Sequence, residues 1–569
     1  MSTQSFTPES VFAPTIGDRS ASSPRPDFKI LQPTTTYTGA PIAPIEKGLP
    51  KITESLCPEC GQVIRADIFA DQGKVVMEKN CAEHGTFRDI VFSDVALYLK
   101  AEQWQFGDNR GIANPAVENA TKCPDECGMC GMHTSHTGLA NVDLTNRCNL
   151  TCPVCFANAN VQGYVYEPSI DLVRKQLQAL RDEKPVAGRV VQFSGGEPTI
   201  HPQWLDILSM ARDMGFSHIQ AATNGIMFAD EAFAHASKAA GLQTLYLQFD
   251  GVTDEVYKRT RGQALLEAKM KCIENVRKAG LKIVFVPTIV KGVNDDQVGD
   301  IVRAAIENID CVSGISFQPV AFTGRINRRE LEQKRYTLAD LAHSVADQTG
   351  ITDKYHDWFP LSSMVPFSRL MSAIKGDETV TLTCHPHCSI GTYLFVDEKT
   401  KTAVPATRFL DLPGLLQDMD KIARKTGKSI FKVFSGVKAW NSMRKHFKPQ
   451  FAPPGLDFQK FLQTVQGCVD KKYGRDGMDG TFTYRTLMVA GMHFMDSYNY
   501  DIARVKRCLI HYATPDGKLF PFCTYNSGPV FREATEKKYS VSMDEYLKQP
   551  SDSCMPKMSG CSGCGMAND

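Results

Sequence analysis

The stretch RCNLTCPVCF, residues 147–156, carries three cysteines at spacings of four and three positions. It follows the alternating run LANVDLTN, residues 139–146, whose period of two is typical of a half-buried strand. A disulfide would leave one of the three cysteines unpaired, and a tetrahedral zinc site would lack a fourth ligand. A 4Fe–4S cluster held by three thiolates leaves one iron open to a small molecule, so the spacing favours a cluster of this kind.

Apolar strands and amphipathic helices alternate downstream of this loop as far as about residue 325. The predicted strands are VVQFSGG (190–196), IQAATNG (219–225), TLYLQFDG (244–251), KIVFVPTIV (282–290) and GISFQPVAF (314–322). This succession is typical of parallel βα units, so we predict an α/β fold with an open sheet or a barrel. Each strand ends in small or polar residues, and in such barrels the carboxyl ends of the strands build the active site.

The overall charge gives no reason to expect a nucleic-acid partner, because 64 basic residues stand against 63 acidic ones. No apolar run reaches the roughly 18 residues that cross a bilayer. The N-terminus lacks the basic flank and apolar core of a secretory signal, so we predict a cytoplasmic protein.

Nineteen cysteines in a chain of 569 residues, without an export signal, indicate a reducing compartment in which thiolates hold metals. Three of them, Cys272, Cys311 and Cys468, stand alone and are interpreted as small buried apolar residues. The others fall into clusters along the sequence, and cysteines that serve only as buried apolar residues are not expected to cluster in this way.

The first cluster predicts a small metal-binding ribbon. The segments CPECG (57–61) and CAEHG (81–85) are joined by strand-like sequence that would form a hairpin between two metal knuckles. The ligands would be Cys57, Cys60, Cys81 and His84 at one mononuclear site. Zinc suits this set best, whereas a rubredoxin-like iron would need another cysteine in place of the histidine.

The chain divides by composition into six segments. Residues 1–50 carry eight prolines among serine and threonine and are predicted to form a disordered or surface-hugging tail. The others are the metal ribbon at 51–100, an auxiliary-cluster segment at 101–140, the barrel at 141–330, a helical region covering the substrate at 331–500, and a C-terminal auxiliary-cluster region at 501–569.

The cluster loop, taken together with SGGEP at 194–198, resembles the signature motifs of radical S-adenosylmethionine (SAM) enzymes. The resemblance implies a partial (β/α)6 barrel in which Cys148, Cys152 and Cys155 hold a catalytic 4Fe–4S cluster. It further implies reductive cleavage of SAM to a 5′-deoxyadenosyl radical, which abstracts hydrogen from an unactivated carbon. The residue before the last cysteine is usually aromatic in that family, whereas here it is Val154.

The same resemblance assigns residues to SAM binding. By motif position, Gly195, Gly196 and Glu197 would contact the methionine end of SAM. Asn224 and Asp250, at the two following strand ends, would contact its ribose or its carboxylate. The alternative for these two residues is that they are ordinary polar residues at strand ends.

The remaining cysteine clusters predict one or two auxiliary 4Fe–4S clusters. Cys123-x3-Cys127-x2-Cys130 lies shortly before the cluster loop, and Cys384 and Cys388 form a later pair. The C-terminal segment resembles the auxiliary-cluster extensions of some radical SAM enzymes, with candidate ligands Cys508, Cys523, Cys554, Cys561 and Cys564. Spacing alone does not show which of these cysteines share a cluster.

The order of ribbon, CxxxCxxC segment, CNLTCPVCFANA loop (148–159) and C-terminal cysteines resembles the archaeal tetraether lipid synthase family, formerly described as pterin-modifying methyltransferases. The resemblance covers roughly residues 55–565 and implies an sp3–sp3 C–C bond formed between the terminal carbons of two lipid chains. The partners it implies are a lipid substrate, a peripheral membrane surface and an electron donor such as ferredoxin or flavodoxin.

Residues 421–448 carry nine lysines or arginines and no acid, with apolar residues close to one helical face. Such a helix suits an anionic membrane surface, although a core helix with a solvated basic face has the same pattern. Two other functions stay open: a radical SAM methylase or related enzyme acting on a small heterocycle such as a pterin, and a non-enzymatic cluster carrier. A carrier would have no use for SGGEP and the polar strand ends.

Overall fold

The N-terminal ribbon is a four-stranded antiparallel sheet in the computed structural model, which describes residues 44–107, 111–157, 159–323, 334–375, 378–426, 433–469, 484–528 and 531–548. Its strands, in spatial order, are β1 (Lys51–Leu56), β2 (Val63–Asp71), β3 (Lys74–Cys81) and β4 (Gly85–Phe92). Strands β2 and β3 form the predicted hairpin, so the expected ribbon is confirmed. Helix α1 (Val95–Gln103), whose N-terminus is capped by the Asp94 side chain, leads out of the ribbon.

The central part of the chain is the predicted barrel. Its strands are β5 (Leu139–Thr145), β6 (Tyr164–Tyr166), β7 (Val190–Gly195), β8 (His218–Thr223), β9 (Thr244–Gln248), β10 (Lys282–Val286), β11 (Thr288–Ile289) and β12 (Val312–Pro319). Strands β5, β7, β8, β9, β10 and β12 pair in parallel in that order. The crossovers contain α2 (Ile170–Asp182), α3 (Trp204–Asp213), α4 (Glu231–Ala240), α5 (Asp254–Arg261), α6 (Leu266–Lys278) and α7 (Val298–Glu307). The expected partial (β/α)6 barrel is confirmed.

Alternation along β5 and β7 sorts the side chains between the core and the barrel interior. Val142 and Phe193 are fully buried in the main apolar core, together with residues of the covering helices. Asn141 and Gln192, on the opposite face of the same strands, line the interior cavity. The lone Cys272 belongs to the same apolar core, as does the lone Cys311, which confirms both as buried apolar residues. The side chain of Cys468 lies outside the described part of the chain.

The chain after residue 334 adds strands to both edges of the barrel, which nothing in the sequence indicated. These strands are β13 (Phe359–Pro360), β14 (Ser389–Asp397), β15 (Ala403–Pro405), β16 (Tyr484–Met492), β17 (Ile510–Ala513), β18 (Leu519–Pro521) and β19 (Ser540–Ser542). Strand β16 pairs in parallel with β12, and β17 pairs in parallel with β5. Strands β14 and β18 then pair antiparallel with β16 and β17. An open barrel edge exposes unpaired backbone groups, and these added strands satisfy them.

The region 331–500 is therefore not only helical, as expected, but also supplies β13 to β16. The helices of the C-terminal part are α8 (Leu338–Thr349), α9 (Val365–Lys375), α10 (Leu412–Thr426), α11 (Val433–His446), α12 (Phe458–Val469), α13 (Ile502–Val505), α14 (Phe522–Ser527), α15 (Phe531–Lys538) and α16 (Met543–Leu547). A second apolar core forms between β14 and helices α9 to α12.

The basic segment 421–448 does not form the single helix expected of it. Its described residues up to His446 belong to α10 and α11, the last two follow α11, and Phe434 has no described side chain. Ala439 and Phe447 are buried in the second apolar core, while the Trp440 ring, 40% exposed, packs against Phe458. Part of the apolar face of α11 thus packs on the protein itself, as in the core-helix alternative, while Val437 on the same helix is 56% exposed. None of the described helices combines the length and the apolarity that crossing a membrane requires.

Candidate active site and metal sites

The four predicted ribbon ligands converge at one end of the antiparallel sheet. The Sγ atoms of Cys60 and Cys81 are 3.9 Å apart, and Nδ1 of His84 is 3.5 Å from Cys81 Sγ and 3.8 Å from Cys57 Sγ. The four ligand atoms lie within 4.8 Å of one another, a spacing that suits a single tetrahedral ion. The hydrogen bond with His84 lowers the pKa of the Cys81 thiol to about 6, which favours the thiolate that binds zinc.

The three cysteines of the opening loop lie directly after β5 and border one cavity. The main-chain N–H groups of Leu150 and Ala159 donate to the Sγ atoms of Cys148 and Cys155, each at an N···S distance of 3.4 Å. Burial raises the pKa of the Cys148 thiol, and also that of Cys152. A thiol whose pKa is raised by burial becomes a thiolate only when a positive centre such as a metal stabilises the charge, and the three thiols of this loop could serve as metal ligands.

Asn160 holds the cluster loop in shape, and the sequence pattern did not reveal it. Its Oδ1 accepts from the Cys148 N–H at 2.9 Å, and its Nδ2 donates to the carbonyls of Cys148 and Leu150 at 2.9 and 3.2 Å. The residue has a φ of +66°, a conformation that asparagine tolerates better than most residues. Only the folded structure shows that the Asn160 side chain hydrogen-bonds the backbone at the start of the loop, at Cys148 and Leu150.

The two glycines of SGGEP allow the end of β7 to contact the start of the cluster loop. A Cβ on Gly195 would lie 2.2 Å from the Thr145 carbonyl oxygen, and one on Gly196 would lie 2.2 Å from that of Arg147. The Gly196 N–H donates to the Thr145 carbonyl at 2.7 Å, and the Glu197 N–H donates to the Arg147 carbonyl at 2.9 Å. The motif therefore positions the loop that carries Cys148.

Glu197 joins the same motif to the next strand end. Its Oε1 accepts from the Thr223 hydroxyl at 2.8 Å, and its Oε2 accepts from the Asn224 N–H at 2.8 Å. Burial raises the pKa of the Glu197 carboxyl, and these hydrogen bonds oppose that rise. The Asn224 Nδ2 donates to Oδ1 of Asn149 in the cluster loop at 2.6 Å. Glu197 and Asn224 both border the cavity, where motif position predicts SAM.

Asp250 lies behind another residue instead of on the cavity wall. Its Oδ2 and Oδ1 accept from Nε and Nη2 of Arg261 at 2.6 and 2.9 Å, and Oδ1 also accepts from the Thr288 N–H at 2.9 Å. Arg261 borders the cavity and donates to the Val154 carbonyl at 3.0 Å. Arg261, the last residue of α5, therefore lines the cavity in place of Asp250. No sequence motif indicated this residue.

The cavity has a volume of about 250 Å³, and its lining includes amide groups and aromatic rings. Amide groups come from the barrel strands, namely Asn141, Gln192, Gln248 and Gln318. Aromatic rings come from the cluster loop, the barrel and the C-terminal part, namely Phe156, Tyr246, Phe494, Tyr512 and Phe522. The Phe522 ring stacks on those of Phe494 and Phe156, with centroid distances of 3.9 and 5.4 Å.

Four cysteines from distant segments meet next to this aromatic group. Burial raises the pKa of the Cys384 thiol, and the nearby Cys388 and Cys508 raise it further. Burial likewise raises the pKa of the Cys523 thiol, and the same two cysteines add to the rise. The Met495 N–H donates to Cys523 Sγ at 3.3 Å. Burial raises the pKa of the Cys508 thiol to about 11. The fold thus joins a pair of cysteines before β14 with a pair that flanks β17 and β18.

Cys123, Cys127 and Cys130 form a neighbouring group. The Cys127 thiol interacts with those of Cys123 and Cys130, and burial raises the pKa of the Cys123 thiol to about 12. Tyr500 and Cys523 belong to the same apolar cluster as Cys123 and Cys130, so the two cysteine groups adjoin. The predicted ligands Cys554, Cys561 and Cys564 lie outside the described residues.

Known proteins match this chain along most of its length. Residues 142–305 match the Radical SAM superfamily, and residues 49–93 match the HMPTM N-terminal zinc ribbon domain. The 7,8-dihydro-6-hydroxymethylpterin dimethyltransferase of Methanocaldococcus jannaschii is 42% identical over 503 residues, covering 88% of this chain and 97% of that protein. The probable GTP 3′,8-cyclase of Sulfurisphaera tokodaii is 27% identical over 38% of this chain and 66% of its own. A crystal structure of Streptococcus suis SuiB bound to the precursor peptide SuiA is 19% identical, with a TM-score of 0.32 over 38% of this chain and 46% of that one.

The predicted membership of the tetraether lipid synthase family is wrong. The relative that matches over nearly its full length is named for a pterin, a small heterocycle. The predicted coupling of two lipid chains, the lipid substrate and the peripheral membrane partner are wrong with it. The physical reason is that the order of the cysteines reports the metal sites, and metal sites carry no information about the substrate.

The comparisons agree with the geometry on the cofactors. A radical SAM domain implies a 4Fe–4S cluster and SAM, and the three loop cysteines with SGGEP border the cavity that would hold them. The ribbon match implies zinc, and the four converging ligands suit it. The chain belongs to the radical SAM family that includes the 7,8-dihydro-6-hydroxymethylpterin dimethyltransferase of Methanocaldococcus jannaschii.

Proposed function

We propose that the protein is a radical SAM methyltransferase whose substrate is a reduced pterin such as 7,8-dihydro-6-hydroxymethylpterin. The observation that carries the proposal is the 42% identity to a protein of that name over 97% of its length. The alignment spans 88% of this chain, so it extends far beyond the radical SAM domain at residues 142–305. The similarity is therefore not confined to the domain that carries the cluster loop and SGGEP.

The lining of the cavity supports a planar polar substrate. Aromatic rings such as Phe522 and Tyr512 offer faces on which a bicyclic ring can stack. The amides of Gln192 and Gln248 offer donors and acceptors to the edge of such a ring. A pocket that combines apolar walls with a few placed polar groups is typical of small-molecule sites.

Asn141 is the residue in this lining that we propose to bind the pterin edge. The Gln220 Nε2 donates to the Gln192 Oε1 at 2.9 Å, and the Gln192 Nε2 donates to the Asn141 Oδ1 at 2.8 Å. These three amides stand opposite one another on β8, β7 and β5. The Asn141 Nδ2 at the end of the chain is buried and has no acceptor among the described residues. A carbonyl or ring nitrogen of the substrate would satisfy this donor.

The residues around the cluster loop bind and orient the reactants. When bound, the cluster and SAM supply the electron and the 5′-deoxyadenosyl radical. We propose that Gly195, Gly196 and Glu197 contact the methionine end of SAM, and that Arg261, held by Asp250, meets its carboxylate. With SAM also as the methyl donor, one C–H bond would become C–CH3, and an external reductant such as ferredoxin or flavodoxin would have to supply two electrons. The products from two molecules of SAM would be methionine, 5′-deoxyadenosine and S-adenosylhomocysteine.

Cys384, Cys388, Cys508 and Cys523 are proposed to hold an auxiliary 4Fe–4S cluster. Four thiols match the ligand number of such a cluster. In the ribbon the four ligand atoms lie within 4.8 Å of one another, as a single ion requires. Among the described His, Cys, Asp and Glu residues no other group of three or more is so close, and these four cysteines are therefore spaced more widely. A four-iron cluster holds its ligand sulfurs further apart than one ion does.

The pterin proposal is tested by incubating the reconstituted protein with SAM, dithionite and 7,8-dihydro-6-hydroxymethylpterin under anaerobic conditions. Mass spectrometry should show the pterin gaining methyl groups, together with 5′-deoxyadenosine. In Asn141→Asp the acceptor for Gln192 is kept and the donor is lost, so KM for the pterin should rise about tenfold while SAM cleavage persists.

The matched control is Asn114→Asp on the surface. Asn114 also accepts through Oδ1 and donates through Nδ2, but it pairs with the backbone of Lys184 and Asp182, outside the cavity. The Asn114→Asp variant should leave KM for the pterin unchanged. Protein that cleaves SAM but neither binds nor alters the pterin would overturn the pterin proposal. An unchanged KM in Asn141→Asp would remove only the role of Asn141.

The ribbon is expected to be structural. In Cys57→Ala the zinc should be lost, and the free energy of unfolding should fall by about 3 kcal/mol or more, because the ion is part of the folded ribbon. Metal analysis should show one ion fewer per chain, with the iron–sulfur absorbance kept. Cys311→Ala, which removes a lone buried thiol, is the control and should keep the zinc. A folded Cys57→Ala protein that no longer cleaves SAM would contradict a purely structural site.

A further inference from the structure

The buried arginines of this protein differ in what neutralises their charge. Arg261 faces Asp250, and Arg335 lies between two carboxylates. Arg504, in the short helix α13, is only 2% exposed. Among the described residues no carboxylate lies within 4.0 Å of its guanidinium. Burying a cation without a counter-charge is strongly unfavourable, so another group must supply the negative charge.

The guanidinium of Arg504 contacts one cysteine and one carbonyl. Its Nε donates to Cys388 Sγ at an N···S distance of 3.4 Å, and its Nη2 donates to the His493 carbonyl at 2.6 Å. Burial by itself lowers the pKa of Arg504, and interactions with Cys388 first, then with Cys523 and the more distant Asp501 carboxylate, more than offset it. The guanidinium is thus placed to neutralise an anionic thiolate site.

We infer that Arg504 is a positioning residue whose charge raises the reduction potential of the auxiliary cluster held by Cys384, Cys388, Cys508 and Cys523. The inference rests on the proposed auxiliary cluster. Reduction adds one electron to a site that is already anionic, and a fixed cation stabilises the added charge more than the original one. An N–H donated to a ligand sulfur acts in the same direction. The cluster should therefore accept an electron more readily with Arg504 than without it.

Lys506, two residues further along, provides a matched comparison. Its charge acts on the thiols of Cys123 and Cys130, which belong to the neighbouring cysteine group. Removing either cation changes the net charge of the same short segment by one. Only the loss of Arg504 should affect the cluster at Cys388.

The experiment uses the full chain with Cys148, Cys152 and Cys155 changed to alanine, so that the catalytic cluster contributes no signal. The auxiliary clusters are reduced stepwise and followed by low-temperature electron paramagnetic resonance. Comparison with Cys384→Ala identifies the signal of the Cys388 cluster. Arg504→Gln should move its midpoint potential to more negative values, Arg504→Lys should move it less, and Lys506→Gln should leave it in place.

The outcomes separate the inference from the cluster on which it rests. If Cys384→Ala binds as much iron as the triple-alanine protein in which it is made, these four cysteines do not hold an auxiliary cluster. If iron is lost there but Arg504→Gln keeps both the cluster and its potential, Arg504 does not tune it. Should Arg504→Gln fail to bind the cluster, Arg504→Lys decides. If Arg504→Lys keeps the iron and its midpoint potential stays near that of the protein with Arg504, the role of the charge is supported. If Arg504→Lys loses the iron, or its midpoint potential falls as far as a loss of charge would predict, the inference is overturned.

Discussion

Changing Cys148, Cys152 and Cys155 together to alanine is expected to remove about four irons per chain and to abolish 5′-deoxyadenosine formation. The three thiols border the same cavity as Glu197 and Asn224. Without them the chain has nothing in this loop to hold the iron that SAM binds. The loss of SAM cleavage should therefore be complete. Iron analysis and chromatography of the products after anaerobic reconstitution measure both effects.

Two lone cysteines provide the controls for the triple variant. Cys272→Ala and Cys311→Ala remove thiols that lie in the apolar core of the barrel. Each leaves a small cavity, so stability should fall by roughly 1 kcal/mol while the iron content stays unchanged. A triple variant that still produces 5′-deoxyadenosine would show that the catalytic cluster has other ligands.

Gly196→Ala is expected to have the next largest effect, because its Cβ would lie 2.2 Å from the Arg147 carbonyl oxygen. The obstacle is backbone, so no side-chain rotation can relieve it. The Glu197 N–H donates to this same carbonyl, so any shift of Arg147 breaks that bond and moves Cys148. We expect stability to fall by about 3 kcal/mol and the catalytic cluster to be lost or poorly assembled.

Thermal unfolding, iron content and SAM cleavage together test the Gly196 variant. Gly436→Ala in α11 is the control, since a Cβ there would meet nothing within 4 Å. Alanine should be neutral or stabilising at that position, because glycine weakens a helix interior by about 1 kcal/mol. A Gly196→Ala protein that assembles its cluster and cleaves SAM at the original rate would show that the close approach is not needed.

Much of the barrel and of its catalytic loop could be predicted from sequence because the signals are local. The apolar strands and the helices between them repeat within short windows, and the pairing order of the six barrel strands follows their order in the chain. Cys148, Cys152 and Cys155 sit within one loop, so the chain itself keeps them close. The ribbon ligands are also two local pairs, joined by one hairpin.

The cysteine pattern predicts the wrong class of substrate because it does not include the residues that would bind a substrate. In the sequence Asn141 and Gln192 look like ordinary polar residues of alternating strands. Only the structure shows that both line the same cavity. Phe494 and Phe522 come from the C-terminal part and border the same cavity because β16 and β17 pair with opposite edges of the barrel.

The sequence by itself determined the class of fold and the N-terminal metal ribbon, and it predicts the cluster ligands of the opening loop, since each depends on residues that are close in the chain. Only the tertiary structure decided which distant cysteines meet, with Cys384 and Cys388 beside Cys508 and Cys523. It also decided that Arg504 lies against Cys388. Contacts between distant segments depend on how whole strands and helices pack, and the spacing of residue types within a loop does not encode that packing.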